Sequence, residues 1–340
     1  MTSVPLSVLD LAPVPDGGSS RQALADTVTL AQRVEQLGYA RFWVAEHHGM
    51  PGVASSAPAV LIGAIAAATR HIRVGSGGVM LPNHAPLVVA EQFGTLEALH
   101  PGRIDLGLGR APGTDPATAS ALRRGASADD FPAELFALRS FFSGEWQDGH
   151  PWSSLQAVPA LGNGPAIWLL GSSGYSAQLA GLLGLPFSFA HHFAPQGTLQ
   201  ALELYRSTFR PSEVLTQPYA MVCASVVLAD TDERARELAM PGALSFLRLR
   251  SGRPGLLPRV EEALSYDYAP HELAFVEQRL AQQSIGAPET VRASLERLLD
   301  DTGVDELMVT TMVHDPADRL ASFTRLAELP LGAGARLAVS

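Results

Sequence analysis

The feature that most constrains this chain is an alternation of two periods. Short runs of consecutive apolar residues recur at Pro5 to Leu11, Arg41 to Ala45, Ile72 to Ser76, Ile104 to Gly109, Ala166 to Leu170, Leu185 to Ala190, Tyr219 to Leu228 and Glu306 to Thr311. Runs of this kind fit parallel strands covered on both faces. Between them lie helical patterns. Leu24, Val28, Ala31, Val34 and Leu37 recur at three and four, behind a capping-box spacing from Ser19 to Gln22 and ahead of Gly38. Pro288 and Gly303 frame another helix in the same way. Eight strands alternating with helices predict one (β/α)8 TIM barrel, with insertions near 112–165 and 241–287 where the rhythm breaks. An open doubly wound sheet is the alternative.

Composition narrows the function classes. The net charge is −10 and all 24 basic residues are arginine, which argues against a nucleic-acid surface. Cys223 is the single cysteine, so internal disulfides and thiolate zinc clusters are excluded. The N-terminus lacks a basic segment followed by an apolar one. The longest apolar run, about Pro58 to Ala68, falls short of the ~20 residues of a membrane helix. A cytoplasmic protein without a membrane or nucleic-acid partner is expected.

A parallel barrel delivers every strand's C-terminal end to one rim. The unusual residues fall there: Glu46-His47-His48 after the second strand, Gly77-Gly78 after the third, Arg110 after the fourth, Ser172-Ser173 after the fifth, His191-His192 after the sixth and Thr310-Thr311 on the last. Each also has a plainer reading. Histidines are often satisfied within the structure, Gly77-Gly78 can be a tight turn, and a serine after a strand can simply cap the next helix. Glu46-His47-His48 does not read as a metal site, because neighbouring strand residues face opposite ways and no acidic cluster at another strand end completes it. No metal is expected. Gly107-Leu108-Gly109-Arg110-Ala111-Pro112-Gly113 is a poor dinucleotide loop, since its third glycine is misplaced and no helix opens there. Gly171-Ser172-Ser173-Gly174 follows a strand and opens a helix. With Arg110 on the adjacent strand it makes a candidate phosphate pocket at a helix N-terminus.

These segments together resemble the bacterial luciferase-like flavin monooxygenase superfamily over nearly the whole chain. The carriers are Ala45-Glu46-His47-His48, Val74 through Pro82, Ala90-Glu91-Gln92-Phe93, Pro101-Gly102-Arg103, Gly107 to Arg110, Gly171 to Gly174 and Gly286-Ala287-Pro288-Glu289. The resemblance implies a barrel that binds FMN at its C-terminal rim. It implies that Gly171, Arg110, Ser172, Ser173 and Ser176 hold the flavin phosphate, and that a non-prolyl cis peptide at Gly77-Gly78 lies against the flavin ring. It implies His47 as the catalytic residue, His191 beside the flavin, and a mobile active-site loop at 241–287. Ser172 and His191 depart from the light-emitting member's pattern, which bears on light emission rather than on flavin binding. The implied chemistry is oxygenation of a small organic substrate. Reduced FMN would come from a separate NAD(P)H-dependent flavin reductase, and the protein would be a homodimer. A deazaflavin-dependent oxidoreductase and a non-catalytic flavin-binding protein are the alternatives.

Overall fold

A computed structural model of the chain describes residues 4–111, 114–122 and 130–332. In chain order the elements are β1 (Leu6–Asp10), α1 (Ser20–Gln36), β2 (Arg41–Val44), α2 (Pro58–Ala68), β3 (Arg73–Met80), α3 (Pro86–Leu99), β4 (Ile104–Gly109), α4 (Pro116–Leu122), α5 (Phe131–Ser143), β5 (Ala166–Gly171), α6 (Gly174–Leu183), β6 (Phe187–Phe189), α7 (Thr198–Thr208) and β7 (Ala220–Leu228). There follow α8 (Asp232–Arg250), α9 (Val260–Ser265), α10 (Pro270–Ala281), β8 (Ser284–Gly286), α11 (Pro288–Thr302), β9 (Glu306–Thr310) and α12 (Pro316–Ala327).

The strands close on themselves. Neighbours run β6-β5-β4-β3-β2-β1-β9-β7, and β6 also pairs with β7. β1 sets Ser7 opposite Arg41 of β2 and Leu6 opposite Leu307 of β9, both in parallel. The fold is therefore a closed eight-stranded (β/α)8 barrel, and the open sheet is excluded. Buried apolar residues form two concentric layers. Phe42, Val74, Ile104, Leu106, Phe187, Val222 and Leu307 point outward into the helices. Leu9, Trp43, Trp168, Met221 and Met308 fill the interior. Burying each large side chain contributes about 1.5–3 kcal/mol. Trp43 and Trp168 meet edge to face at 5.2 Å, and Tyr219 meets Trp168 at 5.6 Å.

The N-terminal end of the barrel is plugged by charge. Arg41 on β2 reaches Asp105 at 2.8 Å and Glu306 at 3.0 Å. Arg73 and the Trp43 indole donate to Asp105 at 2.6 and 2.9 Å. Ser7 and Tyr219 donate to Glu306, and the tyrosine bond is 2.8 Å. Burial works against the Arg41 charge, but Asp105 and Glu306 raise its pKa above the ordinary arginine value. Five strands and the residue leading into β7 thus meet in one hydrogen-bonded floor.

Two features differ from the sequence reading. Helix α8, capped where Thr231 accepts from the Arg234 amide, runs through Pro241 to Arg250. A proline inside a helix costs about 3 kcal/mol. Here Leu238, Ala239, Met240, Ala243, Leu244 and Leu247 bury a continuous face in a second core with Val276 and Leu280 of α10, and that burial outweighs the lost bond. The later part of the second insertion holds α9, α10 and β8, a three-residue strand that pairs with Val226–Leu228 of β7 outside the ring. The first insertion carries α4 and α5, and its Pro112 and Gly113 lie outside the described residues. No described helix is long and apolar enough to cross a membrane.

The charged floor makes a prediction. Asp105→Ala would leave the Trp43 indole without its acceptor and take from Arg41 and Arg73 the carboxylate they share. A loss of about 3–5 kcal/mol is expected in denaturant unfolding. A loss under about 1 kcal/mol would show that the floor is not a stabilising network.

Candidate active site at the C-terminal rim

Parallel strands bring all their C-terminal ends to one side. His47 follows β2, and its backbone amide donates to Ser55 at 3.0 Å. Ser55 in turn donates to the Ala45 carbonyl at 2.5 Å. The turn holding His47 is therefore pinned on both sides. Glu46, fully buried, faces the other way. Its Oε1 lies 2.9 Å from His48 Nε2, 2.8 Å from His84 Nε2 and 3.3 Å from the Asn83 amide nitrogen. Its Oε2 accepts from the Met80 amide at 3.1 Å. Burial alone would raise this carboxyl's pKa, but the bonds from His84, His48 and Met80 lower it below the ordinary value. Glu46 is thus an ionised hub tying the end of β2 to the turn after β3.

Glu46, His48 and His84 form the one group among the described residues whose ligand atoms could surround a metal ion. The sequence reading missed His84, which only the fold brings to Glu46. Two ligands on a tetrahedral ion with bonds of ~2.0–2.1 Å would stand about 3.3 Å apart. The observed 2.8 and 2.9 Å are hydrogen-bond distances, and the carboxylate already has four donors. The geometry is that of a hydrogen-bonded hub. As expected for adjacent residues, His47 and His48 diverge.

Gly77 and Gly78 are joined by a cis peptide bond. They lie within β3, which continues to Met80 through a register shift between Gly77 and Val79. A Cβ on Gly77 would come within 2.7 Å of Leu9 Cδ1, and one on Gly78 within 2.5 Å of Leu170 Cδ1 and 2.6 Å of the Gly107 carbonyl. Packing against the Gly107 backbone therefore demands glycine at position 78, whereas at position 77 the crowding is by the Leu9 and Trp43 side chains.

Arg110 follows β4, and its guanidinium stacks over the Tyr175 ring at 4.1 Å. Tyr175 is in the first turn of α6, so the strand-four arginine and the Gly171–Ser176 segment do meet. Ser173 is the N-cap of α6 but makes no capping bond through its side chain. The hydroxyls of Ser172, Ser173 and Ser176 have no hydrogen-bond partner among the described residues, and Arg110 has no carboxylate partner there. Gly171 lies against Ser176, whose Oγ would be 3.1 Å from a Cβ at that position. Three free hydroxyls, the positive end of a helix and an unengaged guanidinium converge in one place. That donor set suits a phosphate.

On the rim, a cavity of about 180 Å³ opens over the barrel. His47, His192, Ser225, Thr310, Phe246 and Arg279 are among its lining residues. A smaller hollow of about 50 Å³ holds Gly77, Trp43, Leu170 and again His192. His192 Nδ1 sits 3.1 Å from the Cys223 carbonyl, so its proton belongs there and Nε2 is left as an acceptor. Burial is the main reason its pKa falls to about 4. His191 turns instead to Thr198 Oγ1 at 2.8 Å and lines a separate hollow with Ala224 and Ser284. Burial pushes the Cys223 thiol well above its ordinary pKa, which rules it out as a nucleophile. The structure therefore brings His47 and His192 to one cavity and Gly77 and His192 to the smaller hollow, sets the phosphate-type cradle on the same rim, and sends His191 to a separate hollow.

Comparison with known proteins gives the same picture. The chain is 52% identical over 325 residues to the protein YvbT of Bacillus subtilis, covering 95% of this chain and 96% of the relative. It is 48% identical to a luciferase-like monooxygenase of Escherichia coli K12, with 94% and 95% covered. An N-acetyl-S-alkylcysteine monooxygenase of Bacillus subtilis is 33% identical over 96% of this chain and 98% of its own. The solved structure of apo-MsnO8 superposes with a TM-score of 0.87 at 40% identity, covering 96% and 98%. The fold alone is shared with the oxygenating constituent of 3,6-diketocamphane monooxygenase of Pseudomonas putida in complex with FMN, at TM-score 0.70, 20% identity and 96% and 98% coverage. It is likewise shared with an F420-dependent secondary alcohol dehydrogenase, at TM-score 0.64, 14% identity and 96% and 98% coverage. A sequence model of the luciferase-like monooxygenases matches residues 4–306, and on that match, with a closed barrel whose donors gather at one rim, this chain belongs to the luciferase-like monooxygenase family.

Proposed function

We propose that the chain is an FMN-dependent monooxygenase. It takes reduced FMN from a separate NAD(P)H-dependent flavin reductase and uses molecular oxygen to oxygenate a small organic substrate. The observation that carries this reading is the cradle of Arg110, Ser172, Ser173 and Ser176. Among the described residues its donors have no carboxylate or carbonyl to serve, and they stand on the same rim as His47. The names of the Escherichia coli and Bacillus subtilis relatives support oxygenation as the reaction class.

Bound reduced flavin supplies the electrons that activate oxygen. The chain supplies the rest. Arg110 and the serines hold the phosphate. Gly77 and Gly78 leave the rim free of side chains where the ring approaches. His47 exchanges a proton with the substrate, and histidine is the side chain that does so near neutral pH. His192, neutral and with Nε2 as an acceptor, orients the bound partner. Helices α8 to α10 cover the cavity and keep water from it.

Arg110→Ala is expected to weaken FMN binding by about 10- to 100-fold while leaving riboflavin binding unchanged, as read by flavin fluorescence quenching. Equal weakening of both would remove Arg110 from the phosphate. The same titration with the deazaflavin F420 decides between the two cofactor types. His47→Ala should keep its FMN affinity and lose about 10²–10⁴-fold in the transfer of labelled oxygen from ¹⁸O₂ to substrate. Undiminished transfer would take His47 out of the reaction.

A second copy of this chain is the partner we propose. Helix α2 is apolar nearly all round, and its outward Val60 is 76% exposed; Val88 and Leu99 of α3 are exposed as well. The outward positions Ala57, Ala64 and Ala67 of this face are small and uncharged. Such a face on a helix that already buries its other side is shaped for a partner. Val60→Glu should turn a dimer into a monomer by light scattering. An unchanged mass for that variant would place any interface elsewhere.

A further inference from the structure

We infer that the cavity above His47 takes a small amphiphilic organic acid, whose carboxylate is held by Arg279. This deepens the monooxygenase reading by naming a substrate class. It rests on that reading only for the chemistry after binding.

The chain carries 34 acidic residues against 24 basic ones, yet no aspartate or glutamate lines this cavity. Its polar wall is instead cationic or neutral: His47, His192, Arg279, Gln283 and hydroxyls. Arg279 is the decisive group. It projects from α10, and its guanidinium lies 4.3 Å over the Phe246 ring, which itself stacks on Phe275 at 6.0 Å and 4°. Nη1 donates to the His192 carbonyl at 2.6 Å. That bond uses one of the five N–H groups of an arginine. No carboxylate among the described residues pairs with it.

The other inward arginines are served differently. Arg41 has Asp105 and Glu306, and Arg319 has Asp10. Arg103 spreads its donors over the Ala66, Thr69 and Ile72 carbonyls and the Thr69 hydroxyl. A purely structural role for Arg279, tethering α10 to the turn after β6, would leave most of its donors without a protein partner among the described residues. Burial lowers its pKa, as it does for a cation lacking a counter-charge. An anion entering from solvent supplies that counter-charge where water screens it least.

A second donor stands close by. Ser225 Oγ donates to Gln283 Oε1 at 3.0 Å, which leaves the amide nitrogen of Gln283 to donate into the cavity. Gln283 lies just past the end of α10 and lines the same cavity as Arg279. A planar guanidinium fixed on a phenyl face suits a carboxylate, which it meets with two parallel bonds. The remaining wall is apolar, with Met50, Val53, Leu249 and Met312. The ligand therefore carries its charge at one end and hydrocarbon or thioether at the other.

Binding can be measured without flavin. The flavin-free protein is titrated calorimetrically with octanoate and with methyl octanoate, in wild type and in Arg279→Met. Octanoate should bind the wild type at least tenfold more tightly than its ester. Arg279→Met should lose that preference while its affinity for the ester is unchanged. FMN affinity of the variant should equal that of the wild type. Equal binding of acid and ester by the wild type overturns the inference. So does an Arg279→Met variant that binds FMN, but not riboflavin, more weakly, since that would assign the guanidinium to the flavin phosphate. Either failure leaves the Arg110 and His47 tests standing. Failure of those tests leaves the preference for acid over ester intact.

Discussion

Closure of the parallel ring is the constraint on which every other feature of this structure depends. A parallel strand cannot be joined to its neighbour by a tight turn, so each connection must travel back along the outside. Once β1 pairs with both β2 and β9, every strand must end at the same rim. The opposite end then needs a floor, and buried charge provides it. Asp105 and Glu306 gather Ser7 from β1, Arg41 and the Trp43 indole from β2, Arg73 from β3 and Tyr219 from the entry to β7. Because an unpaired buried charge is far more costly than an apolar mismatch, this floor tolerates little shift in register. Registers fixed at the floor fix the height of each side chain at the rim.

The rim divides its work between holding and reaching. Glu46 holds: its four donors tie the end of β2 to the turn after β3. Ser55 holds the next residue. Between these ties, His47 reaches the cavity. The adjacent histidines after β6 divide in the same way, one bonded to Thr198 and the other lining the space over the barrel. In both pairs the divergence of neighbouring residues lets one position serve the scaffold and the other the ligand.

Electrostatics gives the rim its direction. The protein as a whole is acidic, but two arginines, Arg110 and Arg279, have no carboxylate partner among the described residues. Arg110 lies with serine hydroxyls at the start of α6, and Arg279 lies on Phe246 beneath the capping helices. Each is held flat by an aromatic ring, so its hydrogen-bonding edge is organised before any ligand arrives. Two separate guanidinium edges are thus presented, one at the start of α6 and one in the wall of the cavity.

Local pattern along the chain is enough to specify the barrel. Strands buried on both faces must be apolar over consecutive residues, and helices between sheet and solvent must repeat at three and four. Both signals are local, and they placed all eight ring strands and the framed helices, such as the one from Pro288 to Gly303. The rim residues were legible for the same reason, since strand ends and parallel order suffice to assign a side. Only the folded molecule settles whatever depends on distant partners. Arg41, Asp105 and Glu306 look like isolated charges in apolar runs until barrel closure joins residues 265 positions apart. His84 meets Glu46 only because the turn after β3 folds back on β2. The path of α8 through Pro241 was invisible to a local rule, because burial against α10 overrides the proline's lost hydrogen bond. Arg279 lay in a stretch without period or motif, and only packing against Phe246 turned it toward the cavity. Periodicity reports which face of a segment is covered. It carries no information about which distant charge will be found there.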